Sequence, residues 1–127
     1  MTFMSDSSSR IFVRILLDEL GEAKGEFIRF LAPRTVEAIL KKLPLEGRAA
    51  PLNGGSYFEV QLKMGPEKAT KNVAAGTMAF WPFGSALCFF YENSKTYTPV
   101  NIIGKVFENL EVLRKAKMGT RVRVEKV

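Results

Sequence analysis

Val73-Ala74-Ala75-Gly76-Thr77-Met78-Ala79-Phe80-Trp81-Pro82-Phe83-Gly84-Ser85-Ala86-Leu87-Cys88-Phe89-Phe90-Tyr91 is the stretch around which the chain is organised. It holds the single Trp, the single Cys and five further aromatic residues. Its pattern predicts a strand, a Pro-Phe-Gly corner and a second strand. Pro82 fixes its own φ and biases Trp81 towards extended backbone. Gly84 is expected to supply a φ that residues with side chains adopt only at a cost. Such a corner holds Trp81 and Phe83 rigidly, so that they either plug the end of a β structure or line a cleft. Both readings are open at this point.

Other strands flank the corner. Over Ser56–Lys63, Phe58, Val60 and Leu62 face one way, while Tyr57, Glu59, Gln61 and Lys63 face the other. Ile11, Val13, Ile15 and Leu17 alternate against Phe12, Arg14 and Leu16, and Glu26–Ala32 forms a second strand. A hairpin across the charged turn at 18–25 joins the two. Pro33 opens a helix whose stripe is Val36, Ile39, Leu40 and Leu43, and Pro44 stops it. Leu45–Gly55 is expected to be a loop with a turn at Asn53-Gly54-Gly55. Met64–Asn72 reads as an exposed basic loop, and Glu92–Thr96 as a turn. Val100–Phe107 is a strand. Glu108–Lys117 is a short helix with acids first and bases last, and Thr120–Val127 closes the chain as a strand.

That makes seven or eight strands and two helices, with no βαβ alternation. Two helices are too few to cover both faces of an open sheet. Closing the strands into a barrel and capping its ends with the helices leaves no strand unpaired. The expected class is mainly β, with one barrel domain over 10–127 behind a disordered lead-in at 1–9.

Composition bounds the function. A chain of 127 residues suits one domain. A lone Cys88 in an apolar run predicts a buried, inert thiol and suits a reducing cytoplasm. No apolar run approaches the ~20 residues of a membrane helix. The polar start has no apolar signal core, and Met4 offers an alternative initiator. A cytoplasmic protein without membrane contact is expected. With no His, the Ser-His-Asp and Cys-His nucleophile systems and His-ligated metals are excluded. No metal and no cofactor are expected. Only Asp6 and Asp18 are aspartates, so carboxylate chemistry would fall to glutamates. Abundant Lys and Glu with little Gln or His is a pattern met in thermophile proteins.

The net charge of +6 favours encounter with polyanions or acidic partners, although a solvated basic surface is the default. Arg114, Lys115, Lys117, Arg121 and Arg123 cluster around the last helix and strand. A nucleic-acid or acidic-partner patch there is kept as an alternative. Against it, Gly104-Lys105 lies in a strand pattern without a phosphate loop's upstream glycine. The aromatic-basic interleave of an RNA-recognition sheet is missing too. Asn101, in an apolar strand, is expected to be a satisfied buried amide. The oligomeric state is left open.

From residue 11 onward the order of elements resembles the cyclophilin fold. Ala32-Pro33-Arg34-Thr35-Val36-Glu37 resembles the family's Ala-Pro-Lys-Thr-x-Glu-Asn at the start of its first helix. Gly84-Ser85 followed by Phe89-Phe90 resembles its Gly-Ser-Gln-Phe-Phe segment. Ile103-Gly104-Lys105-Val106-Phe107-Glu108-Asn109-Leu110 resembles its Phe-Gly-Lys-Val-x-x-Gly-Met. Phe80-Trp81-Pro82-Phe83-Gly84-Ser85-Ala86-Leu87-Cys88 is similar to the Tyr-Trp-Pro-Pro-Gly-x-Ala-Leu-Cys signature of small bacterial and archaeal cyclophilin-like proteins.

The resemblance implies a closed antiparallel eight-stranded barrel capped by two short helices, with a ligand groove on its outside. In cyclophilins a Phe-x-Arg strand supplies an arginine to the twisted prolyl amide. With Phe58 and Val60 inward, Tyr57 stands for the aromatic and Glu59 for the arginine. An acid cannot donate to the prolyl nitrogen, and it reverses the local charge. The family's groove tryptophan and histidine have no match in Lys95–Val100. The implied function is binding of a peptide or small ligand in an outer aromatic groove, without efficient catalysis. The groove candidates are Tyr57, Glu59, Gln61, Trp81, Phe83 and Phe89, and no catalytic residue is assigned. Phe89 and Phe90 face opposite ways, and which one is outside stays open. The alternative is a weak peptidyl-prolyl isomerase acting by desolvation of the prolyl amide.

Overall fold

The computed structural model describes residues 9–127, so the expected lead-in lies outside the described residues apart from Ser9. Alternation sets the first hairpin. Strand β1 (Arg10–Leu17) buries Val13, Ile15 and Leu17 and leaves Phe12 half exposed. It pairs antiparallel with β2 (Gly21–Ile28), from Arg10↔Ile28 to Leu17↔Gly21. The turn is shorter than the charge pattern suggested, because Glu19 takes a left-handed φ of 65° and reverses the chain early. A 3-10 turn at Arg29–Leu31 leads into helix α1 (Pro33–Lys42), with Pro33 in the first turn and Val36 and Ile39 buried.

Eight further strands follow: β3 (Leu45–Arg48), β4 (Ala50–Leu52), β5 (Gly55–Glu59), β6 (Thr70–Val73), β7 (Thr77–Trp81), β8 (Ala86–Phe90), β9 (Ser94–Glu108) and β10 (Arg121–Lys126). Helix α2 is a single turn, Glu111–Arg114. Every pairing is antiparallel, in the order β3-β10-β1-β2-β9-β7-β8-β5-β4, with β6 added on β9. Among the described residues no helix is long and apolar enough to cross a membrane.

Of the expected closed eight-stranded barrel, the mainly β antiparallel sheet with two helices is present, while hydrogen bonds do not close it. The sheet has ten strands, and no hydrogen-bonded ladder joins its two ends. Those ends, β3 and β4, are consecutive parts of Leu45–Leu52, the segment read as a loop. Its first part pairs with β10 and its second with β5, so it serves both ends without laddering onto itself. Ala49 sits between them, donating its N–H to Thr120 O at 2.8 Å and accepting from Gly119 N at 2.8 Å. Gly47 lets this segment close on the core, since a Cβ there would lie 2.5 Å from the Phe58 ring.

The main core lies inside this wrapped sheet. It contains Phe27, Phe58, Phe80, Leu87, Phe89 and Ile103, with Val36 and Ile39 of α1 and Val112 and Leu113 of α2 covering it. Phe58 and Phe89 stack at 6.2 Å. A second, smaller cluster of Val73, Ala79, Cys88, Phe90 and Val100 lies apart from it. Strand β8 contributes to both, and all five of its residues are buried.

Candidate functional site

Registers fix what faces outward. Tyr57 pairs with Cys88 and Cys88 with Ala79, while Glu59 pairs with Ala86 and Ala86 with Trp81. Cross-strand partners share a face, so Tyr57, Glu59, Trp81, Ala86 and Cys88 lie on the outer side. Phe90 follows by the two-residue period of a strand. The stretch Ser94–Val100 of β9 and strand β6 cross this face, and the second apolar cluster fills the space beneath. Within it lies a cavity of about 310 Å³. Leu52, Cys88, Phe90 and Val100 give it an apolar floor, Tyr57 and Trp81 form a wall, and Asn53, Lys95 and Thr98 stand at its polar side.

Trp81 is held from three directions. Its ring meets Tyr57 edge to face, at 5.6 Å and 87°. Its indole Nε1 donates to Thr98 Oγ1 at 2.7 Å. Its six-membered ring also occupies the space that a Gly84 side chain would need, with a Cβ there only 2.4 Å from Trp81 Cε3. The expectation for the corner is therefore corrected in its physics. The left-handed residue is Ser85, with φ 48°, and Gly84 supplies room instead. Ser85 N donates to Pro82 O at 3.4 Å, and Ser85 O accepts from Val60 N at 2.8 Å.

Of the six groove candidates, Tyr57 and Trp81 border the cavity. Glu59 shares their face but is exposed beyond the cavity wall, and Gln61 is exposed in the loop after β5. Phe83 projects from the corner, 71% exposed. Phe89 points into the main core, and Phe90 is the outward member of the pair. Sequence reasoning missed Leu52 and Lys95, which arrive from segments read as loop and turn, and Thr98, which lies between that turn and the strand expected from Val100. Phe90 shares the face of Cys88, which the register against Tyr57 sets and no sequence signal reports.

Cys88 has a thiol pushed up to about 12 by burial, so it stays neutral and unreactive at ordinary pH. Among the described residues no three or more Cys, Asp or Glu side chains converge as metal ligands would.

A second polar constellation lies elsewhere. Asn101, fully buried, accepts from Glu67 N at 2.8 Å with Oδ1, and donates through Nδ2 to Thr35 Oγ1 and Gly65 O, both at 3.1 Å. Glu67 in turn accepts from Arg34 N, Thr35 N and the Thr35 hydroxyl at the start of α1. Burial pushes the Glu67 carboxyl up, but these bonds together outweigh it and hold the pKa below its ordinary value. The constellation ties the loop after β5 to α1 and β9.

The basic cluster is partly committed. Arg114 pairs with Glu92 at 3.0 Å and Glu111 at 2.8 Å, and lies 4.9 Å from the centre of the Tyr91 ring. Arg123 pairs with Glu46 and Glu125. Lys115, Lys117 and Arg121 are exposed, and Arg121 sits opposite Arg48.

An antiparallel sheet wrapped around one core, covered by two short helices and carrying an aromatic cavity on its outer side, is a cyclophilin-like architecture. The sequence matches the family described as Cyclophilin-like over residues 12–125, and the chain belongs to that family. It is similar to the solution structure of the hypothetical protein AF2241 from Archaeoglobus fulgidus, at 27% identity and a TM-score of 0.78, covering 98% of this chain and 100% of that one. It also shares its fold with the structure of McbB in complex with tryptophan, at 16% identity and a TM-score of 0.77. That match covers 89% of this chain and 44% of McbB. No curated protein matches the sequence.

Proposed function

We propose that this cyclophilin-like domain binds a peptide or small molecule in the cavity between Tyr57 and Trp81, without efficient catalysis. The observation that carries the reading is the cavity itself: about 310 Å³, apolar in its floor, with an indole anchored in its wall. Mostly apolar concavities with a few placed polar groups are the usual form of small-ligand sites. The lining holds no carboxylate and no arginine, and its thiol is neutral. It therefore lacks the donor that cyclophilins direct at a twisted prolyl amide. The reading extends to a barrel closed through the covalent continuity of Leu45–Leu52, and to a cytoplasmic setting that suits a buried free thiol.

Trp81 is the single tryptophan, so its fluorescence reports on this site alone. Titration with proline-containing peptides should shift that emission and the amide resonances of Tyr57, Trp81 and Phe90. No change at millimolar peptide or small apolar ligand would count against the reading. The second reading, weak prolyl isomerisation, draws on the apolar floor, which would desolvate a bound prolyl amide. A protease-coupled assay should show no rate above background. A rate that Tyr57→Ala abolishes would promote the isomerase.

A further inference from the structure

We propose that the cavity selects ligands joining an apolar body to a carboxylate, and that Lys95 reads the charge. The proposal rests on the binding reading above and adds the chemical class of ligand. Of the twelve residues lining the cavity, Lys95 alone carries a charge. The described salt bridges of the chain all lie elsewhere, so its ammonium has no ion-pair partner among the described residues. No Asp or Glu lines the cavity to repel an anion. The polar side is also rich in donors. Thr98 Oγ1 uses a lone pair on the Trp81 indole N–H, which leaves its own O–H to give. The Asn53 carboxamide, on the turn between β4 and β5, brings two more N–H groups.

Shape and charge therefore point to one kind of molecule. The volume of about 310 Å³ corresponds to roughly ten waters, enough for a ring with a short chain. The ring would lie against Trp81 and Phe90. The carboxylate would reach Lys95, exposed at the rim, in a charge-assisted hydrogen bond. The chain's net charge of +6 favours the approach of such an anion.

Two sources share this chemistry: a free small acid, and the C-terminal carboxylate of a peptide ending in an apolar residue. The experiment uses matched probes on the full chain. These are 3-phenylpropionate against 3-phenylpropionamide, and acetyl-Ala-Pro-Phe as free acid against its C-terminal amide. Binding is followed by Trp81 fluorescence and amide NMR in wild type, Lys95→Gln and Lys95→Arg. The acid of at least one pair should bind about tenfold more tightly than its amide in wild type. The gap should close in Lys95→Gln, survive in Lys95→Arg, and narrow with added salt. Preference for the tripeptide acid assigns the peptide source, and preference for phenylpropionate assigns the free acid. Equal binding of acid and amide in wild type overturns the charge reading and leaves the cavity reading standing. A gap that persists in Lys95→Gln does the same. No response to any probe overturns both.

Discussion

Replacing Asn101 with Ala tests how the loop after β5 is held. The side chain is fully buried and makes three hydrogen bonds, to Glu67 N, Thr35 Oγ1 and Gly65 O. A net hydrogen bond is worth about 1 kcal/mol, and a buried group left unpaired costs ~1–3 kcal/mol. Truncation also leaves a small void. Glu67 N and Gly65 O lie on a surface loop and can turn to water, whereas Thr35 Oγ1 is fully buried but keeps its bond to Glu67. Set together, these terms predict a loss of about 3 kcal/mol. At about 2.1 cal/mol/K per residue for 127 residues, the unfolding entropy is ~0.27 kcal/mol/K, so Tm should fall by about 11 °C. Urea unfolding followed by Trp81 emission measures the loss directly, with the m-value unchanged. A loss under about 1 kcal/mol would refute the claim that this amide ties the three segments together.

Other perturbations address the corner, the floor and α1. Gly84→Ala should force the Trp81 ring aside and destabilise by roughly 1–3 kcal/mol, with red-shifted emission; unchanged emission would contradict the contact described. Thr98→Val should shift the indole N–H resonance of Trp81 and remove about 1 kcal/mol, whereas an unmoved resonance would show that the bond is not formed. Cys88 should resist iodoacetamide in the native state at mildly alkaline pH, because burial pushes its thiol up to about 12; rapid labelling would mean that the floor opens. Glu67 has a folded pKa below its ordinary value of 4.5, so its stabilisation is present above that value and is lost as pH falls through the lower one. The stability gap between wild type and Glu67→Gln should therefore shrink under acid, and a gap constant with pH would refute the role given to the charge.

The parts of the fold legible in sequence are those where one face meets core and the other meets water. Strand β1 alternates cleanly for that reason, and so does β5 around Phe58. Strand β8 does not, since apolar clusters bury both of its faces. With no polar beat to set the phase, Phe89 and Phe90 could not be told apart. Strands β3 and β4 hid behind Gly47 and Pro51, and each pairs along one side only. The polar start of β9 looked like a turn because its Lys, Thr and Tyr residues face water or the cavity. The candidate site was legible to the extent that an aromatic corner and its neighbouring strand carry their own pattern. Lys95 and Thr98 were not, because nothing local in sequence reports that β9 folds back over Trp81.

The split of Leu45–Leu52 between two partners also bears on how this protein behaves at high concentration. A β-sheet that ends in a long, flat, unpaired strand offers a template to other chains and invites edge-to-edge aggregation. Here the two terminal strands of the order are four and three residues long and run on from one another. Each unpaired stretch is too brief to seed an intermolecular ladder, and Pro51 removes one of the few donors that remain. The same economy of chain that joins the sheet's ends thus doubles as protection against self-templating.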